Sequence, residues 1–203
     1  MKEKDWLVDN NGQCHPLKTL SKASKTASVY RLYRFLTDLE DILETTTDDM
    51  KRLGLIIPLM RKLLNESPWL YLSMLEPNPD TGWEIMTLYD EPSFPLTVQL
   101  VAWAGGTVSP IHNHGCWGIV ALLEGKEKNT FWRRNPQPNQ PDKIEKVGEK
   151  ILTEGDILCL MPDAIHHIEA MGNQPTISFN LYGETDYDSR FQFNTRENTA
   201  INF

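Results

Sequence analysis

Ser109-Pro110-Ile111-His112-Asn113-His114-Gly115-Cys116-Trp117-Gly118 is the stretch of sequence that decides the fold. Alternate residues of a β-strand share one face, so an extended backbone here directs His112 and His114 to the same side. A second pair, His166-His167, follows Pro162 further along the chain. Neutral imidazole is a common metal ligand, and histidines from two segments can surround one ion. The pattern predicts a three-histidine metal site, with unrelated structural histidines as the alternative.

The third ligand of this predicted site is one of two adjacent histidines. Successive side chains of a strand point to opposite faces, so only one of His166 and His167 can face the metal. If His166 faces inward, Ile168 joins it, whereas the other register buries Glu169 and exposes Ile168. We therefore predict His166 as the ligand, and His167 remains the alternative.

Composition and charge restrict the classes of function. The chain has 203 residues, a net charge of -8 and 40% hydrophobic residues, which suits one domain (1–203) and disfavours nucleic-acid partners that need clustered cations. No apolar run approaches the length of a membrane span, and the N-terminus lacks the pattern of a signal peptide. The three cysteines, Cys14, Cys116 and Cys159, are odd in number and scattered. We expect a cytoplasmic protein with no nucleic-acid or membrane partner.

The sequence pattern changes from helical to β-prone near Trp69. Residues 21–66 carry apolar side chains at helical spacing and predict an N-terminal helical hairpin with a break at Thr45-Thr46-Thr47. Residues 69–185 predict a β-sandwich or β-barrel and residues 186–203 a C-terminal extension. The predicted class is mainly β, preceded by two helices. The ten predicted strands are 71–75, 83–89, 96–104, 109–114, 118–124, 127–134, 143–147, 156–161, 166–170 and 176–182.

Two segments resemble the signature motifs of the cupin superfamily. The first runs from Gly106 through His114 and on to Gly118 and Gly125, and the second contains Gly155-Asp156 and Pro162-Asp163-Ala164-Ile165-His166. The resemblance covers roughly residues 95–185. It implies a cupin double-stranded β-helix, a small jelly-roll barrel for residues 69–185, that holds a metal inside the barrel through His112, His114 and His166.

Within the cupin superfamily, the sequence resembles the cysteine dioxygenase and bacterial thiol dioxygenase group. Cupins often supply a glutamate after the HxH pair, but Gly118 occupies that position here. A three-histidine site without a carboxylate is similar to the site of this group. The resemblance implies Fe(II) as cofactor and O2 plus a small thiol, such as cysteine or mercaptopropionate, as substrates. The ligand types alone do not exclude Zn, Ni or Cu.

Further candidate residues follow the second motif. Ser178, Asn180 and Tyr182 alternate on one face of a predicted strand and resemble the Ser-x-His-x-Tyr row of thiol dioxygenases, with Asn180 in place of histidine. The resemblance implies a catalytic role for this row. An outward polar strand face is the alternative. Bacterial mercaptopropionate dioxygenases carry an arginine in a place similar to that of Arg190, so the resemblance implies that Arg190 binds a substrate carboxylate. An exposed salt-bridge segment is the alternative.

Several properties stay open at the level of the sequence. Trp117 is predicted to line the substrate site, with packing as the default for a large aromatic residue. Glu91 would favour an amine substrate if it reached the pocket. Gly118 stands where animal cysteine dioxygenases carry a cross-linked cysteine, so we predict that Cys116 and Tyr182 are not joined. Another cupin reaction, such as diketone or flavonol cleavage or an isomerisation, and a non-catalytic small-ligand-binding cupin are the alternatives. A homodimer is compatible with the resemblance, but the sequence identifies no interface.

Overall fold

The computed structural model describes residues 5–17, 29–71 and 75–203. These residues form two compact units, one from the described residues up to His15 together with 75–203 and the other from the described residues between Pro16 and Tyr71. The described part of the chain contains two α-helices and thirteen β-strands. None of its helices combines the length and apolar character that crossing a membrane requires.

The smaller unit contains the two helices that the sequence predicted. Helix α1 spans Leu32–Thr45 and helix α2 spans Asp49–Glu66. Asp48 caps α2 by accepting a hydrogen bond from the Lys51 backbone N–H at 2.8 Å, which satisfies one free donor of the first turn. The buried residues of α1 and α2 recur at helical spacing, as in Phe35 and Leu39. The beginning of the predicted hairpin, 21–28, lies outside the described residues.

The larger unit is built from two β-sheets. The first sheet has the strand order β2-β1-β9-β6-β11-β4-β3, and the second has the order β13-β12-β5-β10-β7-β8. The strands are β1 Asp5–Val8, β2 Cys14–Pro16, β3 Trp83–Asp90, β4 Leu96–Trp103, β5 Ile111–His112, β6 Gly118–Glu124, β7 Lys126–Arg134, β8 Ile144–Thr153, β9 Ile157–Leu160, β10 Ile165–Ala170, β11 Thr176–Gly183, β12 Phe191–Asn194 and β13 Thr199–Asn202.

Strands β4 to β11 have the connectivity of a jelly roll. Strands β4, β11, β6 and β9 are neighbours in one sheet, and β5, β10, β7 and β8 are neighbours in the other. The chain passes repeatedly from one sheet to the other, which is the double-stranded β-helix that the sequence predicted. Apolar residues of both sheets, including Leu122, Phe131 and Leu158, form one buried cluster. The mainly β fold with a pair of helices is confirmed.

Some elements differ from the prediction. The predicted strand 71–75 is wrong at its beginning, because a 3-10 helix spans Pro68–Tyr71 and Leu75 is not in a strand, while 72–74 lie outside the described residues. The C-terminal segment 186–203 contributes β12 and β13 to the second sheet. Strands β1 and β2 were not predicted. Strand β1 pairs in parallel with β9, a partner that is distant in sequence.

Candidate functional site

Three histidines converge inside the barrel. Strand pairing places His112 of β5 directly opposite His166 of β10, and His114 follows β5 in the next loop. One ligand atom from each of the three rings lies within 4.8 Å of the others. The Nε2 atoms of His114 and His166 are 3.1 Å apart. Two nitrogens that each bind one ion at about 2.1 Å are separated by about 3.0 to 3.4 Å, so this spacing fits a shared metal.

Hydrogen bonds orient two of the three imidazoles. His112 Nδ1 lies 2.9 Å from the Pro110 carbonyl oxygen, and His166 Nδ1 lies 3.1 Å from Asn129 Oδ1. Both partners are acceptors, so each Nδ1 carries the proton and donates it. Each Nε2 then keeps its lone pair for a metal, which is the usual arrangement of a ligating histidine.

The three rings are neutral near neutral pH. Burial is the main cause that lowers the pKa of His112 to about 4. Burial also lowers the pKa of His114 and of His166 well below its usual range, and the neighbouring imidazoles add to the effect. Neutral imidazole is the ligating form, so the site does not have to lose protons before it binds a cation. The histidine group can hold a metal ion.

The structure resolves which histidine of the adjacent pair faces the site. His166 is 3% exposed and belongs to the three-histidine group. His167 points to the other face of β10, where its Nδ1 accepts a hydrogen bond from Trp132 Nε1 at 2.9 Å. The strand therefore buries Ile168 and leaves Glu169 partly exposed, bonded to Lys128.

The polar row of β11 faces the same cavity as the histidines. Ser178, Asn180 and Tyr182 all line this cavity, which has a volume of about 480 Å³. The ring of Tyr182 stacks on the ring of His114, with centroids 4.7 Å apart and planes inclined by 24°. Burial is the main cause that raises the pKa of the Tyr182 phenol above its usual range. Tyr182 is thus a protonated donor beside the histidines.

The predicted substrate-binding residues have different positions. Arg190 lines the cavity, and its guanidinium lies 4.2 Å from the ring centroid of Phe203. Trp117 does not line it. Instead Trp117 is buried, and its indole packs where a Cβ on Gly183 would lie 2.3 Å from Nε1. Trp117 lies immediately before β6, and this environment favours the packing role that was the alternative in the sequence analysis.

In the acidic pair Asp90-Glu91, at the end of β3, Asp90 lines the cavity. Glu91, not Asp90, was the residue considered from the sequence. Glu91 is exposed and accepts a hydrogen bond from the Tyr89 hydroxyl at 2.8 Å, and it is not among the described residues that line the cavity. The cavity lining therefore includes a cation, Arg190, and an acid from this segment, Asp90.

Two buried polar residues of β7 were missed in the sequence. Glu127 lines the cavity at 1% exposure, and Asn129 is fully buried. Asn129 Nδ2 donates to Glu127 Oε1 at 2.8 Å while Asn129 Oδ1 accepts from His166. Burial raises the pKa of Glu127 to about 7, against a smaller lowering by the Asn129 hydrogen bond. Glu127, Asn129 and Phe131 alternate on the inward face of β7, but with two polar members this row carries no sequence signal of burial.

Gly118 leaves space for the Tyr182 ring. A Cβ at position 118 would lie 3.0 and 3.1 Å from two ring carbons of Tyr182. A larger side chain at 118 would therefore move the tyrosine that stacks on His114.

The buried thiol of Cys116, two residues earlier in the chain, lies 3.6 Å from the Thr185 hydroxyl.

Comparisons with known proteins give similarities of fold. No protein-family model matches the chain. It is similar to a cupin superfamily protein from Desulfitobacterium hafniense, with 17% identity and a TM-score of 0.43 over 58% of this chain and 88% of that one. A cupin 2 conserved barrel domain protein from Leptotrichia buccalis has 15% identity and a TM-score of 0.41, over 53% of this chain and 43% of that one. Oxalate oxidase in complex with glycolate has 12% identity and a TM-score of 0.38, over 53% of each chain. The double-stranded β-helix is established here by strand order.

Proposed function

We propose that this protein is an Fe(II)-dependent dioxygenase that oxidises a small thiol to its sulfinate. The observation that carries the proposal is the neutral three-histidine group, without a carboxylate, in a cavity that also contains a protonated phenol. Three neutral ligands leave a divalent ion its full charge, which favours an anionic thiolate. The reaction RSH + O2 → RSO2⁻ + H⁺ balances in atoms and charge.

The metal has a defined part in this proposal. His112, His114 and His166 would hold it, and Fe(II) would supply the O2 and electron-transfer chemistry that side chains lack. Three imidazoles alone do not select iron over zinc, nickel or copper. Iron therefore follows from the proposed reaction.

The residues of the chain provide binding, orientation and proton handling. Tyr182 can donate a hydrogen bond to a group bound beside His114, because its ring stacks on that histidine and its hydroxyl keeps its proton. Arg190 offers a cation for a substrate carboxylate. Ser178 at 2% and Asn180 at 5% exposure offer further polar groups in the cavity lining. A volume of about 480 Å³ suits a small molecule.

Oxygen uptake tests the proposal. Fe(II)-loaded protein, prepared anaerobically, would be offered cysteine, 3-mercaptopropionate and cysteamine, with the sulfinate product measured by mass spectrometry. Uptake must require both the thiol and His112, so His112→Ala is the negative variant. His167→Ala is the matched control, because it removes the neighbouring imidazole that binds Trp132 instead. Full iron occupancy without thiol-dependent uptake would reject the thiol reaction in favour of another cupin reaction or ligand binding.

A further inference from the structure

The middle residue of the HxH pair faces away from the metal cavity. Asn113 is 3% exposed, and unlike His112 and His114 it is not among the described residues that line that cavity. Alternation along the extended segment explains the difference. A buried amide requires hydrogen-bond partners, and those of the Asn113 side chain are the Pro162 carbonyl oxygen, at 3.4 Å, and two closer groups in the C-terminal segment.

Asn113 binds the two peptide groups on either side of Arg190. Its Nδ2 donates to the Ser189 carbonyl oxygen at 2.7 Å, and its Oδ1 accepts from the Phe191 N–H at 2.8 Å. The Asn113 backbone N–H also donates to the Phe191 carbonyl oxygen at 3.2 Å. The side chain therefore fixes the backbone both before and after the arginine.

Close packing next to Asn113 supports the same arrangement. Gly115 has a φ of +64°, and a Cβ there would lie 2.4 Å from the Asp186 carbonyl oxygen and 3.3 Å from the Arg190 Cβ. The Asp186 N–H donates to the Gly115 carbonyl oxygen at 3.0 Å. Only a glycine permits this approach of the histidine loop to the arginine segment.

Other contacts of Arg190 include one aromatic partner for its side chain and one hydrogen bond to its carbonyl oxygen. The Arg190 Nε is buried without a hydrogen-bond partner, and the guanidinium stacks on Phe203, which is 44% exposed. On the other side of the backbone, the exposed Asn202 donates to the Arg190 carbonyl oxygen at 3.2 Å. β12, which follows Arg190, is held by pairing with β5 and β13, so loss of the Asn113 side chain would act on the Ser189 carbonyl and the Phe191 N–H that flank the arginine.

We infer that Asn113 is a positioning residue that sets Arg190 beside the metal site to bind the acidic group of the substrate. Asn113 lies between the two histidine ligands His112 and His114, so it links the metal-binding segment directly to the segment that carries Arg190. This inference rests on the proposed function for the identity of the ligand. The contacts of Asn113 with the Arg190 segment do not depend on it.

The first experiment measures the segment directly. Hydrogen–deuterium exchange of the metal-loaded protein would follow the Phe191 amide in wild type and in Asn113→Ala. We expect about tenfold faster exchange, equivalent to about 1.4 kcal/mol, because leaving a buried hydrogen-bonding group without its partner costs about 1 to 3 kcal/mol. Asn113→Asp keeps the acceptor for the Phe191 N–H and should be intermediate. Asn135→Ala, which removes an amide that binds Glu145, is the matched control. Unchanged exchange in both Asn113 variants would overturn the inference.

The second experiment measures ligand preference under anaerobic conditions. Calorimetric titration would compare 3-mercaptopropionate, which has a carboxylate, with cysteamine, which has none. Asn113→Ala should weaken binding of the acid about tenfold and leave cysteamine binding and metal content unchanged. In an Arg190→Ala background the Asn113 change should add nothing. An equal loss for both thiols, or an additive loss in the double variant, would contradict positioning through Arg190. Failure of wild type to bind either thiol would instead reject the proposed function, while the exchange result stands.

Discussion

Glu127→Gln should make the protein more stable above neutral pH, because it replaces a carboxyl group that must ionise in the interior. Burial raises the pKa of Glu127 from its ordinary value of 4.5 to about 7. The folded protein therefore binds this proton more tightly than the unfolded chain. The stabilisation is complete below pH 4.5, falls as pH rises from 4.5 to 7, and is lost above 7.

The rise in the pKa of Glu127 sets the expected change in the free energy of unfolding. Each tenfold change in proton affinity corresponds to about 1.4 kcal/mol, so the free energy of unfolding should fall by about 2 to 3 kcal/mol between pH 5 and pH 8 through Glu127 alone. The neutral amide that Glu127→Gln introduces has no such dependence. Its oxygen can still accept from Asn129 Nδ2, which keeps the hydrogen bond of 2.8 Å in place.

Urea unfolding at several pH values measures the difference between wild type and Glu127→Gln. The metal-free protein is used, since a divalent ion nearby would itself favour the carboxylate. Glu124→Gln, which removes an exposed carboxylate next to the same turn, is the matched control for net charge. The carbonyl stretch of a protonated carboxylic acid in infrared difference spectra, absent from Glu127→Gln, gives a second readout. A difference in unfolding free energy that stays constant from pH 5 to 8 would refute the reasoning.

Other predictions concern the metal ligands and the tyrosine. Asn129→Leu should weaken metal binding about 10- to 100-fold by removing the acceptor of the His166 Nδ1–H, measured by competition with a chelator; unchanged affinity would contradict that role. His166→Ala should lose the metal while His167→Ala retains it, as metal analysis of both variants will show, and the reverse result would mean that β10 has the opposite register. Intact-mass measurement should find the thiol of Cys116 and the ring of Tyr182 unlinked, and a loss of two hydrogens between them would prove the contrary.

The sequence predicted those parts of the fold that depend on local patterns. Nine of the ten predicted strands are present, because alternation and turn residues act within a few positions. Tyr71 was assigned to a strand from its local propensity, but Ser67 and Pro68 begin a 3-10 turn there, in which the Leu70 N–H donates to the Ser67 carbonyl oxygen. Asp5–Val8 gave no signal, since this strand is short and is formed by a distant parallel partner.

In the candidate site, too, the sequence predicted only the residues that local patterns reveal. His112 and His114 were recognisable from i and i+2 spacing, and His166 from the apolar residues that alternate with it. Glu127 and Asn129 were not, because Glu-Lys-Asn on a strand is typical of a solvent-exposed face, whereas in the structure both side chains are buried inside the barrel. The hydrogen bonds from Asn113 to the Arg190 segment could not be predicted from the sequence either, since contacts between positions so far apart leave no periodic pattern.

Strand β1 has a consequence for the handling of this protein in solution. Its four residues pair with Ile157 through Leu160 of β9, and Val8 contributes a fully buried side chain to the core. Deleting the chain through Val8 would expose one edge of β9, a row of free peptide groups beside an uncovered apolar surface. Such an edge is a template for the strands of other molecules. A shortened protein would then self-associate through this edge, even though all three histidines and their immediate hydrogen-bond partners were still present.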